Sequence, residues 1–328
     1  MLLDVILIVV GLALLLAGGD LLVRGASAIA KALNVPPIVI GLTVVAFGTS
    51  APELSVNVLA AIDGNTQVSF GNVVGSNIAN IGLILGICAF IRPLVIQGTI
   101  IEREIPMMLL ASFAALILAS DNFLLGEKSS FDRSDGLILL LLFAVFMYYT
   151  IVDVIKGRQS DPLLQQIEEE DAQKGFGKGL LNTVFLLLGL AMLIGGGQLA
   201  VDYSVKVASL LGVPSVIIGL TIIAIGTSLP ELVSCGLATW KGHTDIAIGS
   251  VIGSNIFNLL LVSGICSTIT EIEVPTPAGS VDLLMMVFLS VLILPLSLSF
   301  KFKLVRIEGA VLFSLYFVFM GWRVMTVI

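Results

Sequence analysis

Two glutamates stand where a carboxylate is costly. Glu53 follows the apolar run 38–47 and Glu231 follows the run 216–225, each inside a stretch long enough to cross a bilayer. An ionised group at such depth costs about 2.5–3.5 kcal/mol on insertion scales, so it faces a partner or a cavity. The stretches 36–62, 67–91, 213–240 and 244–267 contain no Lys or Arg. A mobile cation is therefore the natural counter-charge.

The residues around each glutamate suit that chemistry. Gly48-Thr49-Ser50-Ala51-Pro52-Glu53 and Gly226-Thr227-Ser228-Leu229-Pro230-Glu231 share one pattern. Proline supplies no N–H, so the carbonyl four residues back loses its helical donor, and the neighbouring glycine eases unwinding. Irregular backbone at membrane depth is tolerated where it is packed in protein or lines a cavity. Carbonyls, hydroxyls and a carboxylate together are ligands for hard cations. Thr49 and Glu53, like Thr227 and Glu231, are four residues apart and share a helix face. A second segment, Gly71-Asn72-Val73-Val74-Gly75-Ser76-Asn77-Ile78-Ala79-Asn80, has the counterpart Gly249-Ser250-Val251-Ile252-Gly253-Ser254-Asn255-Ile256-Phe257-Asn258. It adds neutral oxygens on Ser76, Asn80, Ser254 and Asn258.

The elements that must position these residues follow from composition. The chain has 328 residues, 57% hydrophobic and 12% charged, with mean hydropathy +1.11; soluble domains average roughly 45–50% apolar and 25% charged. Most of it is membrane. Spans read near 2–22, 36–62, 67–91, 105–120, 133–155, 180–200, 213–240, 244–267, 281–300 and 305–327. The first run lacks a basic leader and aligns with the sixth, so it reads as a span rather than a cleaved signal. Net charge −7 without a basic tract excludes nucleic acid as a partner. Three cysteines give no disulfide framework, and one histidine removes imidazole-cluster catalysis.

A constant offset of 178 residues superposes the two halves: 24 of 46 positions agree between 35–80 and 213–258, and 10 of 24 between 11–34 and 189–212. The predicted organisation is an N-terminal five-helix repeat over 1–155, a linker over 156–179 and a C-terminal five-helix repeat over 180–328. Five is odd, so equivalent helices enter the bilayer from opposite sides. The fold class expected is an all-α integral membrane protein of ten transmembrane helices, two inverted repeats with helices broken at the ion site. Pseudo-symmetry then gathers Thr49, Ser50, Glu53, Ser76 and Asn80 with Thr227, Ser228, Glu231, Ser254 and Asn258 near the midplane, where transporter sites lie. Loops on the linker side hold twelve Lys and Arg and the opposite side four. The positive-inside rule places the linker in the cytoplasm and both termini outside.

Structural readings compete at several positions. Ser50-x-x-Glu53 also fits a capping box, with proline in the first turn. Gly71 and Gly75 fit helix packing. Asp20, whose counterpart is Gln198, reads as a structural partner of Arg24 one turn on. Cys88, Cys235 and Cys266 read as small buried apolar groups. Glu168 to Asp171 lack the spacing of a calcium loop and read as solvated linker.

The paired Gly-Thr-Ser-x-Pro-Glu and Gly-Ser-Asn-x-x-Asn motifs in inverted five-helix halves resemble the alpha-repeats of the calcium/cation antiporter superfamily, specifically its sodium/calcium exchanger branch, over essentially the whole chain. The resemblance implies no enzyme activity and no cofactor. It implies alternating access, with Ca²⁺ and Na⁺ as transported ligands and the lipid bilayer, in the plasma (inner) membrane, as surroundings. By position, Glu53, Glu231, Thr49 and Thr227 would bind Ca²⁺. The carbonyls of Ala46 and Ala224 with Ser50, Ser76, Ser228 and Ser254 would complete outer Na⁺ sites, and Asn80 and Asn258 would line the centre. The first and sixth helices would form the sliding gate. Some relatives, including potassium-dependent ones, have Asp where this chain has Asn258, which argues against K⁺ co-transport. The linker is too short for the calcium-sensing domains inserted in animal exchangers.

Three alternatives compete with Na⁺/Ca²⁺ exchange. In H⁺/Ca²⁺ exchange, the buried glutamates would titrate instead. A cation channel fits broken helices with paired acids less well, and an intramembrane hydrolase lacks an apposed nucleophile and base.

Overall fold

The computed structural model describes residues 2–33, 35–121, 128–159, 162–211 and 226–327, with side chains described outside 153–178 and 327. The first long apolar run forms α1, Leu2–Ala32. The second span is broken. It consists of α2, Pro37–Thr49, and α3, Ala51–Ile62, bent by 43°. The hinge residue Ser50 leaves helical geometry at φ −87°, ψ 3°. Pro52 supplies no N–H at the next turn, which is the cause inferred from sequence.

The first half continues with α4, Thr66–Ile91, α5, Ile105–Leu118, and α6, Arg133–Gln159. Helix α7, Pro162–Leu210, starts inside the predicted linker, and its apolar part is Gly179–Leu210. The second half contains α8, Leu229–Trp240, α9, Thr244–Ile269, α10, Ala278–Leu298, and α11, Arg306–Val327. Of the predicted seventh span, residues 213–225 lie outside the described residues. The fourth span is short as an α-helix because it begins with a π-turn, Ile100–Glu104. Among the described residues, seven single helices and the bent α2–α3 pair are long and apolar enough to cross a membrane.

The duplication is visible in the packing. Strands β1, Leu94–Val95, and β4, Lys303–Leu304, pair antiparallel, as do β2, Ser130–Phe131, and β3, Ile272–Glu273. Adding 178 to β1 gives β3, so each ribbon ties one half to the other. Ser112 and Ser290, also 178 apart, meet hydroxyl to hydroxyl at 3.1 Å, which places the pseudo-two-fold axis between α5 and α10.

Helices α1 and α7 run antiparallel along a seam of glycines. A Cβ on Gly18 would lie 2.8 Å from the Gly189 carbonyl, and one on Gly189 would lie 2.5 Å from the Leu22 amide. Small residues allow backbones this close in lipid, where packing rather than water exclusion drives association. In the C-terminal half of α1, Asp20 binds Arg24 at 2.8 Å and also Lys241, the residue that follows α8. The pairing with Arg24 is the one inferred from spacing; Lys241 is an addition. The repeat equivalents of Asp20 and Lys241 are Gln198 and Asp63, so this ion pair between the halves has no symmetry-related copy.

Backbone atoms bound the glycine seam, so an added side chain has no flexible neighbour to displace. Gly18→Val and Gly189→Val should each destabilise the protein by about 1–3 kcal/mol, the usual range for overpacking. A lowered melting temperature in detergent checks this, with Gly71→Ala, away from the seam, as the control.

Candidate ion-binding site

Three devices place the two glutamates in the interior. The break at Ser50 starts α3 with Glu53 in its first turn. An equivalent break at Ser228, φ −90° and ψ 7°, starts α8 with Glu231 in the same position. Helices α4 and α9 then close over the breaks. A Cβ on Gly253 would lie 2.6 Å from the Leu42 carbonyl, so only glycine lets α9 press its Ser254 against α2.

Glu53 and Glu231 are 1% and 2% exposed, and the hinge three residues before Glu53 reaches the Glu231 carboxylate. Among the described residues neither forms an ion pair with a lysine or arginine, the expected result for spans without basic residues. The Ser50 hydroxyl lies 3.3 Å from Glu231 Oε1 and 3.0 Å from Ser254 Oγ, donating to one of the two. A residue of the first half thereby touches the carboxylate of the second.

The capping-box reading is corrected here. Ser50 and Ser228 do occupy N-cap positions, but neither side chain makes a capping hydrogen bond. The Ser50 hydroxyl is turned into the interior by the bend, toward Glu231.

Oxygen atoms dominate what is left unpaired. Glu53 Oε2, Glu231 Oε2, Ser76 Oγ, Ser228 Oγ, Asn80 Oδ1 and Asn258 Oδ1 are all buried without a hydrogen-bond partner. Buried polar atoms are ordinarily satisfied, and each exception needs a reason. Six acceptor-capable oxygens, drawn three from each half and including two carboxylates, are the donor set a hard cation takes. Among the described residues no group of three or more His, Cys, Asp or Glu is placed to hold a metal ion, so the set rests on two charges and neutral oxygens.

The remaining expected residues are placed as follows. Thr49 is fully buried, and its hydroxyl donates to the Val45 carbonyl at 3.0 Å. The Ala46 carbonyl accepts the Ser50 N–H at 3.0 Å and lies 3.4 Å from the Thr49 hydroxyl. Thr227 donates to Asn72 Oδ1 at 3.4 Å. Ala224 lies outside the described residues.

Sequence reading passed over several contributors. Asn57 donates to the Glu53 carbonyl at 2.6 Å and Ser234 to the Glu231 carbonyl at 3.1 Å, so each glutamate backbone is held by a different residue type. Asn77 and Asn255 were visible as motif positions without a role. The π-turns Asn80–Leu85 and Phe257–Val262 interrupt α4 and α9 at equivalent places beside the site, where such bulges are common; no residue pattern announces them.

A duplicated helical membrane fold whose halves meet at two buried, unbalanced carboxylates defines a cation transporter rather than an enzyme. Residues 3–152 and 181–325 match the sodium/calcium exchanger protein family. The chain belongs to that family, and its class of activity is cation antiport. The inner membrane protein YrbG of Escherichia coli is 37% identical over 89% of this chain and 87% of its own length. The sodium/calcium exchanger MaX1 of Methanosarcina acetivorans is 31% identical over 96% of this chain and 97% of its own. The structure of the sodium-calcium exchanger NCX_Mj soaked with 2.5 mM Na⁺ and 0.1 mM Ca²⁺ has a TM-score of 0.83 at 30% identity, covering 98% of each chain. The ten-helix, inverted-repeat fold expected from sequence is thus the fold of this protein.

Two buried carboxylates without a fixed counter-charge weaken the ion-free state, and a cation held by them in the folded state alone would stabilise the protein. Glu53→Gln and Glu231→Gln should each raise the melting temperature in ion-free buffer and abolish the stabilisation by Ca²⁺. In the native chain that stabilisation should reach about 2.7 kcal/mol at a concentration a hundred times Kd. Calcium titrations of thermal unfolding measure both effects.

Proposed function

We propose that the protein exchanges Na⁺ for Ca²⁺ by alternating access across the plasma (inner) membrane. The observation that carries this reading is the pair of buried carboxylates without fixed counter-charge, surrounded by unpartnered oxygens. The names of MaX1 and NCX_Mj as sodium/calcium exchangers support the ion pair. Glu53 and Glu231 with Thr49 and Thr227 are assigned to Ca²⁺. Ser50, Ser76, Ser228 and Ser254 with the carbonyls of Ala46 and Ala224 are assigned to outer Na⁺ sites, and Asn80 and Asn258 to the centre. Calcium is favoured over Mg²⁺, which is smaller, demands near-ideal octahedral geometry and dehydrates reluctantly.

The mechanism follows from charge. Two carboxylates neutralise one Ca²⁺ or two Na⁺, so the two cargoes compete for one site. A third Na⁺ on neutral oxygens leaves the loaded site at +1 and makes exchange electrogenic, each net charge being worth about 2.3 kcal/mol per 100 mV. Asn258 in place of Asp supplies no third charge, which fits transport without K⁺. The seam between α1 and α7, smooth because of its glycines, is assigned as the surface that slides between open states.

The repeats are assigned to 1–155 and 180–328, with 156–179 as a cytoplasmic linker and both termini outside. Twelve basic residues on the linker side against four opposite support this, and the name of YrbG supports the inner membrane.

Reconstituted vesicles test the reading. An outward Na⁺ gradient should drive radioactive Ca²⁺ uptake that is accelerated by an inside-positive potential and is indifferent to K⁺. Glu53→Gln or Glu231→Gln should abolish it. Uptake that follows a pH gradient and ignores Na⁺ establishes H⁺/Ca²⁺ exchange instead.

A further inference from the structure

The two amides at the centre of the site present a chemical problem. A carboxamide offers a cation either a coordinating oxygen or a repelling NH₂, and the two ends have nearly the same shape. Asn80 and Asn258 serve a cation only if something holds their oxygens inward.

The amide ends of both are anchored across the repeat interface. Asn80 Nδ2 donates to Asn255 Oδ1 at 3.0 Å, and Asn258 Nδ2 donates to Asn77 Oδ1 at 3.4 Å. The Asn80 and Asn258 oxygens are the ones left buried and unpartnered. That arrangement holds only while Asn77 and Asn255 turn their own oxygens toward the amides. Their NH₂ groups lie 3.7 Å from Met286 Sδ and Met108 Sδ respectively. A thioether accepts weakly and has no hydrogen to donate, so it accommodates an NH₂ and disfavours a carbonyl oxygen.

Each chain of three crosses between the halves twice: Met286 to Asn77 to Asn258, and Met108 to Asn255 to Asn80. Members of the two chains differ by 178 in every case (286 − 108, 255 − 77 and 258 − 80). All four asparagines and Met108 and Met286 are buried. A general packing role does not require the same donor directions in both copies.

We propose that Asn77 and Asn255, each set by a methionine sulfur of the opposite half, are positioning residues that hold the Asn258 and Asn80 carbonyl oxygens toward the transported cation. The inference rests on the cation site proposed above, not on which ion drives transport. Partners of ligand side chains commonly contribute 10–100-fold to metal affinity, which sets the size of effect to expect.

The test is Ca²⁺ titration of the melting temperature of the full chain in detergent, with Asn77→Leu made in the native background and in Asn258→Asp. In the native background the substitution should raise the Ca²⁺ midpoint roughly 10–100-fold. In the Asn258→Asp background it should have little effect, because a carboxylate presents oxygen whichever way it turns. Met286→Leu, which conserves volume, should move the midpoint in the same direction and supplies the same comparison if Asn77→Leu does not fold. No change in the native background, or an equal change in both backgrounds, overturns the proposal. A native protein that titrates with Ca²⁺ but fails to couple it to Na⁺ overturns the exchanger reading alone. One that does not respond to Ca²⁺ overturns both.

Discussion

Charge balance at low dielectric is the constraint around which this protein is organised. Glu53 and Glu231 are buried together with no lysine or arginine paired to either among the described residues. Each costs a few kcal/mol at membrane depth, and proximity raises the cost of ionising both. A divalent cation, or two monovalent ones, removes that cost on binding. On the proposed reading the site is loaded before it changes the side to which it opens, and competition between cargoes would follow from two charges rather than from any gate.

Duplication supplies the rest economically. One half provides a helix broken at Ser50 and an amide-bearing helix pressed over the break; the other repeats both at Ser228 and on α9. Symmetry is nevertheless incomplete. Ser50 contacts Glu231 and Ser254, while their equivalents Ser228 and Ser76 stand unpaired. Asn72, which accepts from Thr227, has Ser250 as its counterpart. The ion pair of Asp20 with Lys241 joins the two halves once and has no symmetry-related copy, since the equivalent positions are Gln198 and Asp63. The two faces of the site are thus chemically distinct although their backbones are copies.

Much of this was legible in the residues. The glutamates stood out because charge is rare in apolar runs, the breaks because proline removes a fixed hydrogen bond, and the inverted repeat because polar residues recur at a constant offset. What escaped notice depended on three-dimensional neighbours. Capping geometry for Ser50 is a local prediction that a partner from the other half overrode. The π-turns arise from packing between helices and leave no motif. Asn77 and Asn255 were identical positions without a role, since the methionines that orient them lie 209 and 147 residues away.

Anomalous diffraction from crystals soaked in Ca²⁺ or Sr²⁺ tests the central claim most directly, because it locates the cation without assuming a transport cycle. The account predicts a peak between the Glu53 and Glu231 carboxylates, with oxygens of both at about 2.3–2.6 Å for Ca²⁺, that fades as Na⁺ is raised. A peak away from both glutamates, or one that Na⁺ leaves untouched, would contradict it.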